Sequence, residues 1–269
     1  MIITTVTFTG ADDNTDIAEM ITLSKRFPMI EWGILLSEKA SGSPRYPSKD
    51  WIEGLQKSFQ VLQEEAGYFV AQEMFRLSAH LCGKTMRNFM SSMRDEVENG
   101  EWVTNHGLDE RHFNYMFRRA QANFNAKREG FTEEFIADVI EAWRESMDGE
   151  IITQHNDNNA DAWKATQSMI GGNHTRKDHH ILIDASGGKG KSPEAWSKPI
   201  SGMFTGYAGG LGPENLVTQL DAINAQVGDG FTWIDMEGSL RDADDNFSLS
   251  RVEEVMKIIE TEGPKRGWI

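Results

Sequence analysis

Short apolar runs alternate along this chain with stretches in which apolar residues recur at helical spacing. The runs predict strands at 2–10, 30–37, 75–83, 119–125, 150–156, 180–185, 204–210 and 231–238. A helical pattern follows most of them. Ile17, Met20, Ile21 and Phe27 come after the first strand. Behind Ser48, a candidate N-cap, Trp51, Ile52, Leu55, Phe59 and Leu62 share one face. Thr132 precedes Phe135, Ile136, Val139, Ile140 and Trp143. Pro213 stands near the start of a helix carrying Leu216, Val217, Leu220 and Ile223. The last strand leads to Ser250-Arg251-Val252-Glu253, a capping-box pattern, and that helix is expected to stop at Gly263-Pro264.

Eight strand-then-helix units predict an α/β fold, a single (β/α)8 TIM barrel over residues 1–269, a fold that needs roughly 250 residues. The competing fold is an open doubly wound sheet. Its strands, covered on both faces, would be more uniformly apolar. Here several strands carry polar residues at every second position: Thr5, Thr7 and Thr9; Ser78, His80 and Cys82; Gln121, Asn123 and Asn125; Asp235 and Glu237. In a barrel the apolar set faces the helices, and this polar set is expected to point inward, towards the upper layer. Residues 84–117 and 157–179 exceed a minimal barrel and are expected to be helical insertions on the middle units.

Composition narrows the function. The 269 residues carry a formal charge of −15, one cysteine and 39% hydrophobic residues. A lone cysteine excludes an intramolecular disulfide framework and a multi-cysteine metal site. The acidic balance argues against nucleic acid as a partner. No stretch reaches the ~20 apolar residues of a membrane span. The N-terminal MIITTVTFTGADD has no basic signal-peptide region. The expectation is a cytoplasmic protein with no membrane partner and no cofactor. His174, His179 and His180 lie near Asp178, and His155 near Asp157, without HExxH, so no metal site is expected.

Three segments carry candidate chemistry. In Ile183-Asp184-Ala185-Ser186-Gly187-Gly188-Lys189-Gly190-Lys191 an apolar strand ends in an acid and opens into a glycine-rich loop. C-terminal strand ends line the active site of a barrel, which puts Asp184 at its mouth. The GxxxxGK[ST] spacing of a nucleotide loop is absent. In Ala208-Gly209-Gly210-Leu211-Gly212-Pro213-Glu214-Asn215 paired glycines at a strand end let backbone N–H groups approach an anion. The third segment, Asp235-Met236-Glu237-Gly238-Ser239, ends the last strand. Barrels commonly bind phosphate in the loops after strands seven and eight, which makes Gly209, Gly210, Gly238 and Ser239 the phosphate candidates.

Together these segments resemble the phosphoribosylanthranilate isomerases of tryptophan synthesis. That family carries an LxD–glycine-rich–GK–W region, an AGGL-x-P-x-N segment and a DxSSG segment in its last three strands. This chain has Leu182-Ile183-Asp184 with the glycine-rich loop and Trp196, then Ala208 to Asn215, then Asp235 to Ser239, in the same order. Ser43-Pro44-Arg45-Tyr46 is similar to the family's SPR segment. The likeness is close over 180–240 and loose over the first two strands.

The resemblance implies an Amadori-type rearrangement of a phosphoribosyl amine, from aminoaldose to aminoketose. It gives Asp184 the role of general acid towards the ring oxygen and Arg45 that of carboxylate binder. Gly188 joins the substrate-binding candidates through its loop. The family's base, a cysteine in the first strand, is replaced by Thr9 in Thr7-Phe8-Thr9-Gly10, and a hydroxyl is a far poorer base than a thiolate. Other candidate bases are His80, whose ordinary pKa lies near neutrality, and Cys82, two residues on and on the same face, with His80 lowering its thiol pKa. Asp235 and Glu237 are further options, as bases or as partners of a ring hydroxyl. The expected partner is therefore a phosphorylated small molecule. The alternatives are a non-catalytic phosphosugar- or nucleotide-binding barrel, and a scaffold that docks a partner through 84–179.

Overall fold

The computed structural model describes residues 1–95, 101–108, 110–146, 149–169, 179–187 and 190–269. The chain runs β1 (Ile2–Thr9), α1 (Ile17–Arg26), β2 (Ile30–Leu36), α2 (Lys49–Ala66), α3 (Tyr68–Met74) and β3 (Arg76–Cys82). It continues through α4 (Gly83–Asp95), α5 (Glu101–Thr104), α6 (Glu110–Met116), β4 (Arg119–Asn123), α7 (Ala126–Glu129), α8 (Glu133–Ser146) and β5 (Glu150–His155). It ends with α9 (Ala160–Met169), β6 (His179–Asp184), β7 (Thr205–Ala208), α10 (Leu216–Val227), β8 (Phe231–Met236), a 3-10 turn (Gly238–Leu240) and α11 (Leu249–Arg266). Every strand pairs in parallel with its sequence neighbours, and β1 pairs with β8, closing the barrel. This is the (β/α)8 barrel that the alternating pattern predicts.

The period-two alternation decides which side chains face which way. Val6, Phe8, Leu77, Ala79, Leu81, Ala120, Ala122, Ile181 and Ile183 are buried in the main apolar cluster with residues from the helices, among them Met20, Phe59, Ile136 and Leu220. A separate inner cluster of Ile152, Leu182 and Trp233, with Phe204 and Ala208, fills the barrel's own axis. Beside it, Arg119 of β4 reaches across to Glu31 of β2 through two nitrogens, its Nε lying 2.9 Å from Oε2. Thr7 of β1 donates to the same carboxylate at 2.9 Å, and the guanidinium lies 4.8 Å from the Trp233 ring centroid. These groups are almost wholly buried. The inner floor is thus a closed ionic cluster capped by an indole.

Local signals mostly act where the sequence puts them. Ser48 Oγ accepts from the Trp51 N–H at 3.2 Å and starts α2. Three details differ. Ser248, not Ser250, caps the last helix, accepting the Arg251 N–H at 3.4 Å. That helix continues through Gly263-Pro264 to Arg266. Gly263 has no Cβ to clash with the proline ring, and the lost N–H falls in the final turn. Asn125 caps α7 through Arg128 N–H and so leaves the inward-facing set. The 84–117 stretch holds α4, α5 and α6. No helix among the described residues is long and apolar enough to cross a membrane.

Candidate active site

At the C-terminal ends of the strands lies a cavity of about 390 Å³. Asp184, Asp235, Glu237, Thr9 and His80 line it, as do Gly209, Gly210, Gly238, Ser239 and Arg45. Residues drawn from β1, β3, β6 and β8 and from the loops after β2, β7 and β8 therefore meet in one space. Gly188 lies outside the described residues, as do His174 and Asp178. Cys82 does not line the cavity. Its thiol shares a hydrogen bond with Tyr46 of the loop after β2.

Asp184 closes β6 and is buried. Its Oδ1 accepts the Ser186 N–H at 3.1 Å and the Ser186 hydroxyl at 2.8 Å. This turn over the next two residues fixes the carboxylate at the strand end. In register, Asp184 pairs with Ala208 of β7, and Ala208 pairs with Asp235 of β8. The two acids thus stand at one height, two strands apart, which is roughly 9–10 Å along the sheet.

Asp235 is the most perturbed acid of the site. Burial pushes its carboxyl up to about 7, Glu237 and Glu31 reinforce this, and the Thr9 hydrogen bond and Arg119 oppose it. Thr9 Oγ1 donates to Asp235 Oδ1 at 2.8 Å. Gly33 of β2 makes that bond possible. A Cβ there would overlap Thr9 Oγ1 and stand 2.9 Å from His80 Cε1.

His80 and Cys82 depart from expectation. They share the inward face of β3, as their spacing requires, but they do not form an activated pair. Burial, reinforced by Arg119, pulls His80 down to about 3, which leaves a neutral imidazole that binds a proton weakly. Its Nδ1 lies 3.5 Å from Gln121 Nε2, and its Nε2 has no hydrogen-bond partner. Burial pushes the Cys82 thiol up to about 11, and the Asn123 amide donates to its sulfur at 3.3 Å. The thiol stays protonated at neutral pH, because the neighbouring imidazole carries no charge to stabilise a thiolate.

Arg45 does reach the cavity rim, but not as a free cation. Its guanidinium pairs with Glu237 at 2.9 Å and with Asp245 at 3.6 Å. The residue takes a left-handed backbone (φ 77°), and its N–H donates to Asp12 Oδ2 at 3.1 Å. The buried Arg241 holds that same Asp12 oxygen at 2.8 Å and the Gly10 carbonyl at 3.0 Å.

The glycine segments form one wall. Gly210 has φ 64°, and a Cβ on it would overlap the Lys191–Ser192 backbone, so the two loops can approach only at a glycine. Asn215 ties the segment together, donating to the Gly210 carbonyl at 2.8 Å and accepting the Gly212 N–H at 3.0 Å. Ser239 Oγ donates to the Leu211 carbonyl, joining the loops after β7 and β8. The first bond of the 3-10 turn runs from Leu240 N–H to Glu237 C=O at 3.0 Å, so the Gly238 and Ser239 amides precede it.

Comparison with solved structures agrees with the barrel. A phosphoribosyl anthranilate isomerase from Thermus thermophilus superposes with TM-score 0.51 and 15% identity, covering 96% of this chain and 98% of that one. A truncated 3-deoxy-D-arabino-heptulosonate 7-phosphate synthase from Thermotoga maritima gives TM-score 0.52 and 8% identity over 99% and 89%. A GH113 β-1,4-mannanase gives TM-score 0.43 and 10% identity over 98% and 99%. At these identities the likeness concerns the fold alone. No protein-family model matches the sequence, and no curated protein is significantly similar to it.

Several residues of the cavity, and of the ionic network behind Arg45, escaped sequence reasoning. Ser186 had a usable signal, because an Asp-Ala-Ser strand end favours the turn seen here. Gln121 and Asn123 were legible as inward-facing but not as wall residues. Asp12, Arg241 and Asp245 had no signal, since Asp12 and Arg241 meet across 229 positions of sequence. Of the histidines in that cluster, the described ones make local contacts, while His174 lies outside the described residues. His155 and His179 both contact the Thr153 hydroxyl, at 3.2 and 2.9 Å, and His155 also approaches Thr166 of α9.

Proposed function

We propose that this barrel is an acid–base isomerase of a phosphorylated aminosugar, converting a phosphoribosyl-type aminoaldose to the aminoketose. The observation that carries the reading is the convergence of Asp184 with Gly210 and Ser239 on one cavity. Asp184 gives its proton to the ring oxygen and opens the ring to an iminium. Loss of the C2 proton then yields the enolamine, which tautomerises to the ketose. Backbone N–H groups at Gly210 and Ser239 hold the phosphate, which fits a cavity whose lining cation among the described residues, Arg45, is paired with Glu237 and Asp245. The similarity in fold to an isomerase of this class supports the same reading.

The test is turnover of phosphoribosylanthranilate, followed by anthranilate fluorescence. Turnover is expected, with Asp184→Asn lowering kcat/KM by about 10²–10⁴. Full activity of Asp184→Asn refutes the acid role. The replacement of the family's cysteine by Thr9 favours a second reading, a barrel that binds phosphosugars without turning them over. On that reading, ribose 5-phosphate raises the melting temperature while no substrate is consumed.

A further inference from the structure

Resting on that reading, we infer that the C2 proton is removed by Asp235, with Thr9 as the positioning residue that holds its carboxylate. In the resembling family the base stands on the first strand. Here the first-strand position carries a hydroxyl, and that hydroxyl points at a carboxylate on the adjacent strand instead of acting itself.

Four observations converge. Thr9 Oγ1 donates to Asp235 Oδ1 at 2.8 Å, which leaves Oδ2 for a substrate proton. Asp235 lines the cavity and stands level with Asp184 across Ala208, so a sugar between them meets an acid on one side and a base on the other. The rival bases are worse placed or occupied. His80 is neutral and weakly basic, Cys82 holds its proton, and Glu237 is paired with Arg45. Finally, burial holds the Asp235 carboxyl near the pH at which a base must both exist and accept.

The step balances. The Asp235 carboxylate takes the proton from C2 of the ring-opened iminium. The C2–H electron pair forms the C1–C2 double bond, and the C=N electrons move to nitrogen. The product is the neutral enolamine, with Asp235 as carboxylic acid. Tautomerisation returns that proton to C1 while the C2 hydroxyl gives its own proton to the Asp184 carboxylate, which resets both acids, and no oxidant or cofactor enters.

The groups facing Asp235 set its pH response. They are Thr9 of β1, Glu31 of β2, Arg119 of β4 and Glu237 just beyond its own strand; its β7 neighbour Ala208 is uncharged. Thr9 favours the carboxylate, so its removal moves the acidic limb of the kcat/KM profile to higher pH.

The experiment compares wild type, Asp235→Asn, Thr9→Val and Thr9→Ser on phosphoribosylanthranilate, with binding of the product ketose measured in parallel. Wild-type turnover with a loss of about 10²–10⁴ in kcat for Asp235→Asn, while product affinity stays within threefold, supports the assignment. Thr9→Val is expected to shift the acidic limb upward, and Thr9→Ser to restore it. Wild-type turnover that Asp235→Asn leaves within tenfold overturns Asp235 as base while the isomerase reading stands. A wild type that binds the ketose but never turns over overturns both.

Discussion

Arg119 sits where stability and chemistry meet, so its replacement by methionine is informative. Arg119 and Glu31 are 4% and 3% exposed, and the pair has no water to fall back on. Removing one partner of a buried pair costs about 3–5 kcal/mol, because the other charge is left without compensation. Thr7 still donates to Glu31 at 2.9 Å, which places Arg119→Met towards the lower end of that range. For a chain of this size each kcal/mol lowers Tm by about 2–4 °C, so the variant is expected to melt about 6–12 °C below wild type. The double variant Glu31→Leu/Arg119→Met replaces the pair by apolar groups under the Trp233 ring and is expected to recover most of the loss. The charge change also reaches the site. Arg119 lowers the Asp235 and His80 pKa values, so both rise in Arg119→Met. Urea and thermal melts of the three proteins, with a pH–rate profile, check all of this. A single variant that stays within 1 kcal/mol of wild type, or a double variant as unstable as the single one, refutes the ion-cluster account.

Other outcomes follow from the same geometry. Gly33→Ala pushes a methyl group into Thr9 Oγ1 and His80, and is expected to cost about 1–3 kcal/mol and to weaken the Thr9–Asp235 bond, seen as lower kcat in assays of folded protein. Gly210→Ala strains a positive φ and collides with the Lys191–Ser192 backbone, so titration with ribose 5-phosphate should show at least tenfold weaker binding, and unchanged affinity would remove Gly210 from the phosphate wall. The raised folded pKa of Asp235 means that the native state holds this proton more tightly than the unfolded chain. Its contribution to stability is fully present below about pH 4 and is lost as pH rises towards 7. Asp235→Asn is therefore expected to gain on wild type in melts between pH 4 and 7, and a constant difference would contradict the assigned burial. His80, His155 and His179 are each held down to about 3 and act in the opposite sense. The fold loses stability as pH falls from 6.5 towards 3, and His155→Gln should flatten that slope in acid melts.

How much of this was legible in the sequence follows from the range of each interaction. Strand alternation is a local property, so Thr7, Thr9, His80 and Gln121 could be placed facing inward, and eight such units allowed closure into a barrel. The acid at the end of β6, the glycine pair after β7 and Gly238-Ser239 after β8 are also local, because a strand end and a tight turn are written in neighbouring residues. Protonation is not local. Nothing next to His80 in the sequence says that burial beside Arg119 makes it a poor base, and nothing next to Cys82 says that its thiol stays protonated. Nor does the sequence around Arg45 reveal that Glu237, 192 positions away, already occupies it. The fold class and the mouth of the barrel were thus determined by periodicity and turn chemistry. The pairing of Thr9 with Asp235 was decided only by the closure of β1 against β8, which brings residues 226 positions apart to 2.8 Å.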